Sequence, residues 1–73
     1  MSKPVHTVPH GDGWANRREG ADRVSKVFDT KHDAQQAGRE TARREHVEHV
    51  IHKQNGQIGE KNSYEPDPFP PRG

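Results

Sequence analysis

The sequence predicts an α+β fold, in which a small antiparallel β-sheet packs on one α-helix in the order β-β-β-α-β-β and an extended proline-rich C-terminal tail follows. Three observations favour this class. β-Prone stretches separated by glycine-containing turns precede a segment with helical periodicity. A β-branched run and an Asn-Gly turn follow that segment. Four prolines then cluster near the C-terminus, where no periodicity remains.

The region before the helix predicts three strands. Residues 5–9 are β-prone, and Pro9, which has no N–H group to give to a ladder, is expected to limit the first strand. The turn at residues 10–13 contains two glycines and an aspartate, which tolerate the positive φ angles of tight hairpins. The second strand is predicted over residues 14–17, and a short third strand over residues 24–28.

A helix is predicted to begin after Thr30, a good N-cap residue, with the acidic Asp33 in its first turn. One face of this helix carries small residues at helical spacing: Ala34, Ala37, Gly38, Thr41 and Ala42. This stripe buries little area, but we expect it to let the helix axis approach the sheet closely. The opposite face carries the basic residues Lys31, Arg39 and Arg43.

The region after the helix predicts a hairpin. Residues 47–52 form a β-branched run that indicates a strand, and an Asn-Gly pair then gives a strong turn signal. Residues 58–61 predict the returning strand. We therefore expect a single domain over residues 1–61 and a proline-rich tail over residues 62–73.

The tail has two interpretations. Tyr64 and Phe69 are expected to fold back and cover apolar surface that a leucine-free core leaves exposed. The alternative is that its Pro-x-x-P stretch docks on an aromatic groove of another protein. The first interpretation is favoured, because the Pro-x-x-P pattern is common by chance.

The composition indicates a thinly stabilised fold. The 73-residue chain contains no leucine and no cysteine, and its hydrophobic content is 25%. A domain of this size buries only about 60% of its unfolded surface, and without cysteine no disulfide can stabilise it. We therefore expect a homodimer, for which exchange of a whole element between copies is a low-cost route. The residues expected in the core or at this interface are Trp14, Phe28, Ala34, Ala37, Val50 and Ile58.

Several landmarks together resemble a known family. They are Val5-His6-Thr7-Val8-Pro9, Gly13-Trp14, Thr30-Lys31-His32-Asp33-Ala34, Val50-Ile51-His52, Asn55-Gly56-Gln57-Ile58, Asn62-Ser63-Tyr64 and Asp67-Pro68-Phe69-Pro70-Pro71-Arg72-Gly73. In this order and spacing the chain is similar to the small bacterial proteins grouped as domain of unknown function 2188. The resemblance covers nearly the whole chain and implies a compact α+β domain from a bacterium or phage. It implies no activity and supplies no catalytic residues.

The histidines and hydroxyl residues give little support for a metal site or for nucleophilic catalysis. His46, His49 and His52 would converge on a helix, but on the predicted strand His49 faces away from the other two. No serine lies in a Gly-x-Ser-x-Gly elbow. We therefore predict no catalytic, cofactor-binding or metal-ligating residue, and no enzyme activity. Since six histidines become charged below about pH 6.5, we also expect the fold to lose stability in mild acid.

The charge pattern favours a non-enzymatic, homodimeric domain that acts through protein contacts as an accessory or regulatory factor. Twelve basic and eleven acidic residues leave a net charge of only +1. The alternative is a weak, sequence-nonspecific nucleic-acid-binding module that uses Lys31, Arg39 and Arg43. Acidic residues such as Asp33 and Glu40 are interleaved with these, which favours a solvated face instead. No apolar run reaches the roughly 18 residues of a membrane span, so we expect no membrane association and a cytoplasmic location.

Overall fold

A computed structural model of the chain describes residues 3–64. These residues form five strands and one helix, which confirms the α+β class and the predicted element order. The elements are β1 (Val5–His10), β2 (Gly13–Arg18), β3 (Lys26–Phe28), α1 (Lys31–Glu45), β4 (Glu48–His52) and β5 (Ile58–Ser63). The strands make a single sheet in the order β3-β2-β1-β4-β5, with α1 packed against one face.

The sheet is mixed, so the predicted purely antiparallel pairing is wrong for one pair of strands. β1 and β4 run parallel, with Val5 opposite His49 and Thr7 opposite Ile51. The other neighbours, β1–β2, β2–β3 and β4–β5, are antiparallel. The parallel pair arises because α1 carries the chain back across the sheet before β4 begins, and parallel strands require such a crossover connection.

The strand ends differ from the predicted ones by a few residues. β1 continues through Pro9, which lies opposite Trp14 of β2. Proline is tolerated there because the pairing of β1 with β4 ends at Thr7, so the missing N–H faces no ladder on that side. β3 begins two residues later than predicted, at Lys26, and β5 continues to Ser63, past the predicted domain boundary at residue 61.

Helix α1 has the predicted N-terminal cap. The Thr30 hydroxyl accepts a hydrogen bond from the backbone N–H of Asp33 at 3.1 Å. The helix ends at His46, which adopts the left-handed conformation (φ 59°) that closes many helices. Three members of the small-residue stripe, Ala34, Gly38 and Ala42, are buried against the sheet, as the periodicity predicts.

The apolar core is small. Val5, Ala42 and Val47 form a buried cluster, and the half-buried Tyr64 packs against it. Of the residues predicted in the core or at an interface, Ala34 and Val50 are buried, while Trp14, Phe28 and Ala37 are half-buried. Ile58 lies outside the core of this chain. It is 59% exposed on the edge strand β5, next to a register irregularity between Ile51 and His52. The predicted tail contacts of Phe69 and of the Pro-x-x-P stretch lie outside the described residues.

Candidate binding groove on the open face of the sheet

The two faces of the sheet carry different side chains, because successive strand residues point to opposite sides. The face covered by α1 includes Thr7, Asn16 and His49, whose polar atoms lie next to the backbone of Gly38. Their sequence neighbours point the other way, where helix α1 does not cover the sheet. This open face therefore includes His6, Val8, Arg17 and Val50, together with His52.

A groove of about 870 Å³ crosses this open face. Its floor comes from strands β1, β2 and β4, one wall comes from the loop that follows β2, and the other comes from the turn between β4 and β5. The residues that line it are Val8, Pro9, His10, Arg17, Asp22, Arg23, Val24, His52, Gln54, Asn55 and Gly56. The lining contains two arginines and two histidines but one carboxylate, that of Asp22. Positive or ionisable nitrogen groups therefore outnumber acidic groups.

Arg17 is the unusual member of this lining. Its side chain is half-buried, and its Nε atom is buried without a hydrogen-bond partner among residues 3–64. Buried polar donors in folded proteins are nearly always paired, because an unpaired one costs roughly 1–3 kcal/mol. The half-buried guanidinium is thus partly desolvated, and its side chain lines the groove that an acceptor can enter.

Two histidines make three hydrogen-bond contacts, of which one joins two floor strands and two tie the walls of the groove to its floor. His6 Nδ1 of β1 lies 2.9 Å from His52 Nε2 of β4, with the ring centroids 5.1 Å apart. The second nitrogen of His6, Nε2, lies 3.0 Å from Oε1 of Glu19 in the loop after β2. The second nitrogen of His52, Nδ1, lies 2.9 Å from the carbonyl oxygen of Gly56 in the β4–β5 turn. Both walls are thereby attached to the central strands.

The covered face holds a polar cluster of its own beneath α1: Thr7, Asn16 and His49. Asn16 Nδ2 donates to the carbonyl of Ala34 at 2.9 Å, so Asn16 Oδ1 faces the Thr7 hydroxyl at 2.6 Å. Thr7 has one hydroxyl proton and donates it to Asn16. His49 Nε2, 2.7 Å from Thr7 Oγ1, must therefore carry a proton and donate to Thr7.

This geometry requires His49 to carry a proton on Nε2. Burial lowers the pKa of His49 below its usual value, since the ring is only 1% exposed and a charged imidazole would lose its hydration. The Glu60 carboxylate opposes this effect, while His6 and Arg39 add to it. His49 is thus a neutral ring in the fold, and its Nδ1 has no hydrogen-bond partner within the described part of the chain.

Comparison with known proteins gives the family of the chain. Residues 5–64 match the family described as an uncharacterized protein conserved in bacteria, DUF2188. The chain belongs to the domain of unknown function 2188 family. It is 38% identical over 61 residues to the uncharacterized protein YdaT of Bacillus subtilis (strain 168), an alignment that covers 84% of this chain. The chain spans about 41% of the length of that relative. No solved structure matches.

The structure places the three basic residues predicted as nucleic-acid contacts in different surroundings on this DUF2188 domain. The ammonium group of Lys31 lies 5.3 Å above the centre of the Trp14 ring. Arg39 borders a separate small cavity of about 190 Å³ that His49 also lines. Arg43 is exposed beside Glu40 and Arg44. The three side chains are exposed along α1, but they do not converge on one groove.

Sequence reasoning missed the groove and both histidine networks. His6 and His52 are separated by 46 positions, and Thr7 and His49 by 42. The alternation of β4 correctly separates His49 from His52, but only the pairing of β1 with β4 brings either ring to its partner. Among residues 3–64, no group of three or more histidine, aspartate or glutamate side chains could hold a metal ion. In the same stretch, no helix is long and apolar enough to cross a bilayer.

Proposed function

We propose that this DUF2188 domain is a non-enzymatic protein-interaction module that binds an acidic peptide segment of a partner in the groove on its open face. The observation that carries this proposal is Arg17, whose buried Nε has no partner among the described residues although it lines an accessible groove. An arginine can hold a carboxylate through two parallel N–H···O bonds, which suits an aspartate or glutamate side chain.

The rest of the lining supports a peptide as the occupant. Val8, Pro9 and Val24 supply apolar contact area, while Arg23 and His10 place additional positive or ionisable groups at the rim. A partner segment that alternates aliphatic and acidic side chains would satisfy both kinds of surface. The lining thus combines an apolar part with polar and charged groups, and in a binding site such polar groups set the orientation of the ligand.

The same lining is less suited to nucleic acid. Proteins that bind single strands stack bases on aromatic rings, and the groove lining contributed by residues 3–64 includes no phenylalanine, tyrosine or tryptophan side chain. On the helix, Lys31 lies over a tryptophan ring and Arg43 lies beside an acidic residue, so the basic helix face is the weaker candidate.

The test is binding of a short fluorescent peptide rich in aspartate and leucine, measured by fluorescence anisotropy at low salt. We expect Arg17→Gln to weaken binding at least tenfold, since a buried charge-assisted pair is worth about 1.5–3 kcal/mol. The matched control, Arg43→Gln, removes the same charge from the helix and should leave binding unchanged. Circular dichroism melts of both variants establish that each is folded.

The competing nucleic-acid function has a distinct outcome in the same assay. Labelled single-stranded and duplex DNA replace the peptide, and salt is varied. Binding of DNA that Arg43→Gln weakens and Arg17→Gln does not would replace the groove proposal with the helix-face alternative. Equal binding of the acidic peptide by the wild type and Arg17→Gln would also overturn the groove proposal.

We further infer that the domain associates with a second copy through β5. This strand forms one edge of the sheet, and its residues are mostly exposed, including Ile58 at 59%. An edge strand offers unpaired N–H and C=O groups to another chain, and a core this small gains stability from sharing surface. Ile58→Lys should lower the association constant measured by analytical ultracentrifugation, while Val27→Lys on the opposite edge should not. A wild-type sample that sediments as a monomer at every concentration would exclude this.

A further inference from the structure

The contacts of the His6–His52 pair fix where its protons lie. The carboxylate of Glu19 and the carbonyl of Gly56 can only accept hydrogen bonds. His6 Nε2, 3.0 Å from Glu19 Oε1, therefore needs a proton. His52 Nδ1, 2.9 Å from the Gly56 oxygen, needs one as well. The two outer contacts thus assign one proton to each ring.

The contact between the rings needs a third proton. His6 Nδ1 and His52 Nε2 are 2.9 Å apart, a distance that fits one N–H···N bond. If both rings were neutral, these two nitrogens would face each other with lone pairs only. If both rings were charged, two N–H groups would face each other. Three protons on two rings satisfy all three contacts and leave the pair with a single positive charge.

We propose that His6 and His52 form a one-proton site, in which the folded domain holds one shared positive charge and a second proton breaks the contact between the rings. Because His52 lines the groove, this site regulates the binding surface described above, and that consequence rests on the proposed function. Release of His52 from His6 would turn its Nε2–H toward a ligand and add a charge to the lining.

The surroundings of the pair favour one charge over two. Arg17 lies opposite His6 on β2 and repels added positive charge, while Glu19 attracts the first proton. On the other side, Lys61 and Glu48 face the same side of the sheet and pair with each other at 3.6 Å. The further ionisable groups on this face are His10, Asp22 and Arg23, which line the groove. Val50, which lies opposite His6 and is buried, limits the water available to solvate a second charge.

The test on the free protein is nitrogen-15 NMR of the imidazole rings between pH 8 and pH 5, with the ring resonances assigned by variants. We expect His6 and His52 to titrate together in two separated steps, with protons on His6 Nε2 and His52 Nδ1 in the intermediate state. In His52→Asn, the His6 ring should titrate in a single step. The control His32→Asn removes an exposed histidine of the helix, outside the groove lining, and should leave both steps unchanged.

Two results would overturn the one-proton site. One is a single, independent titration of each ring that matches the exposed His32. The other is a neutral pair at the pH where the intermediate is expected, with the Nε2 proton of His6 absent. Neither result depends on a peptide, so the free-protein spectra decide this proposal even if no acidic peptide binds.

The peptide assay then tests the link to the groove. Between about pH 7.5 and pH 5.5 the carboxylates of the peptide stay ionised, so a change in affinity reports on the protein. We expect affinity for the aspartate-rich peptide to rise about three- to fivefold on acidification, the scale of one added unit charge near an exposed carboxylate. His52→Asn should reduce this rise, and His32→Asn, on the helix and outside the groove lining, should keep it. A rise that His52→Asn leaves intact would show that the pair does not regulate the groove.

Discussion

The two faces of this sheet receive polar side chains from the same strands and use them differently. On the covered face, Thr7, Asn16 and His49 bond to one another and to the backbone of α1 at Ala34. On the open face, His6 and His52 bond to two loops, and the Nε of Arg17 has no partner among residues 3–64. The covered cluster fixes the position of the helix, whereas on the open face the half-buried Arg17 lines a groove that a ligand can enter.

The difference follows from what lies above each face. Beneath α1 the side chains are almost inaccessible to water, so any unpaired polar atom carries the full cost of desolvation. The groove on the open face can be entered by a ligand, so its side chains need not all be paired within the fold. We therefore expect substitutions on the covered face to change stability, and substitutions on the open face to change binding.

The largest effect is expected for Thr7→Val, which keeps the shape of the side chain and removes its hydroxyl. The change leaves Asn16 Oδ1 without a donor and His49 Nε2–H without an acceptor, both of them buried. Each orphaned group costs about 1–3 kcal/mol, so we expect a total loss of about 3 kcal/mol in the free energy of unfolding, measured by urea denaturation.

The matched control for Thr7→Val is Thr41→Val on the helix. Thr41 is half-buried, and its hydroxyl bonds only to the carbonyl of Ala37, a bond that leaves no buried partner unsatisfied when it is lost. We expect a change within about 0.5 kcal/mol there. Equal losses for the two variants would mean that the covered cluster does not hold the helix in place.

A smaller loss is expected for Gly38→Ala. A Cβ atom at this position would lie 2.7 Å from both Asn16 Oδ1 and His49 Nε2, and 2.9 Å from Thr7 Oγ1. Alanine raises helix propensity by about 1 kcal/mol, but the overpacking should exceed this gain and leave a net loss of about 1–2 kcal/mol. Gln36→Ala, an exposed position of the same helix, is the control and should be neutral or slightly stabilising. A stabilised Gly38→Ala would show that the helix can move away from the sheet.

The smallest effect in this series is a fall in the melting temperature from pH 7.5 to pH 5.5. Burial lowers the pKa of His49 in the fold, so the unfolded chain binds more protons than the folded chain at acidic pH. The stability that the neutral ring contributes is therefore complete above its unfolded pKa of about 6.5 and decreases as the pH falls below that value. Differential scanning calorimetry should show this fall, and His49→Gln should reduce it. An equal fall in wild type and His49→Gln would contradict the assignment of a neutral ring.

The sequence predicts the fold well where the signal is local. Thr30 predicts the N-terminal cap of α1, and the stripe of small residues predicts the buried face of this helix. The Asn-Gly pair predicts the β4–β5 turn. Strand ends are less well predicted. Pro9 is part of β1 because the neighbouring strand stops before it, a fact that depends on the pairing with β4 and not on Pro9 itself.

The candidate site could not be predicted for the same reason. Arg17 and His52 belong to strands that only the sheet brings near each other, and His6 meets His52 across 46 positions of sequence. From the sequence, the histidines could be judged only by their spacing along one element. That spacing separates His49 from His52, but it gives no information about the partner of either ring.

Local signals in the sequence are enough to predict the class, the element order and the helix face of small residues, because propensity, capping and periodicity act over a few neighbouring residues. The parallel pairing of β1 with β4, and the division of the sheet into a covered face and an open face, follow from tertiary contacts. That pairing is long-range, and it places Thr7 and His49 in a water-excluded layer and His6 and His52 at a solvent-accessible groove. The chemistry available to each histidine follows from its position in that layer or groove.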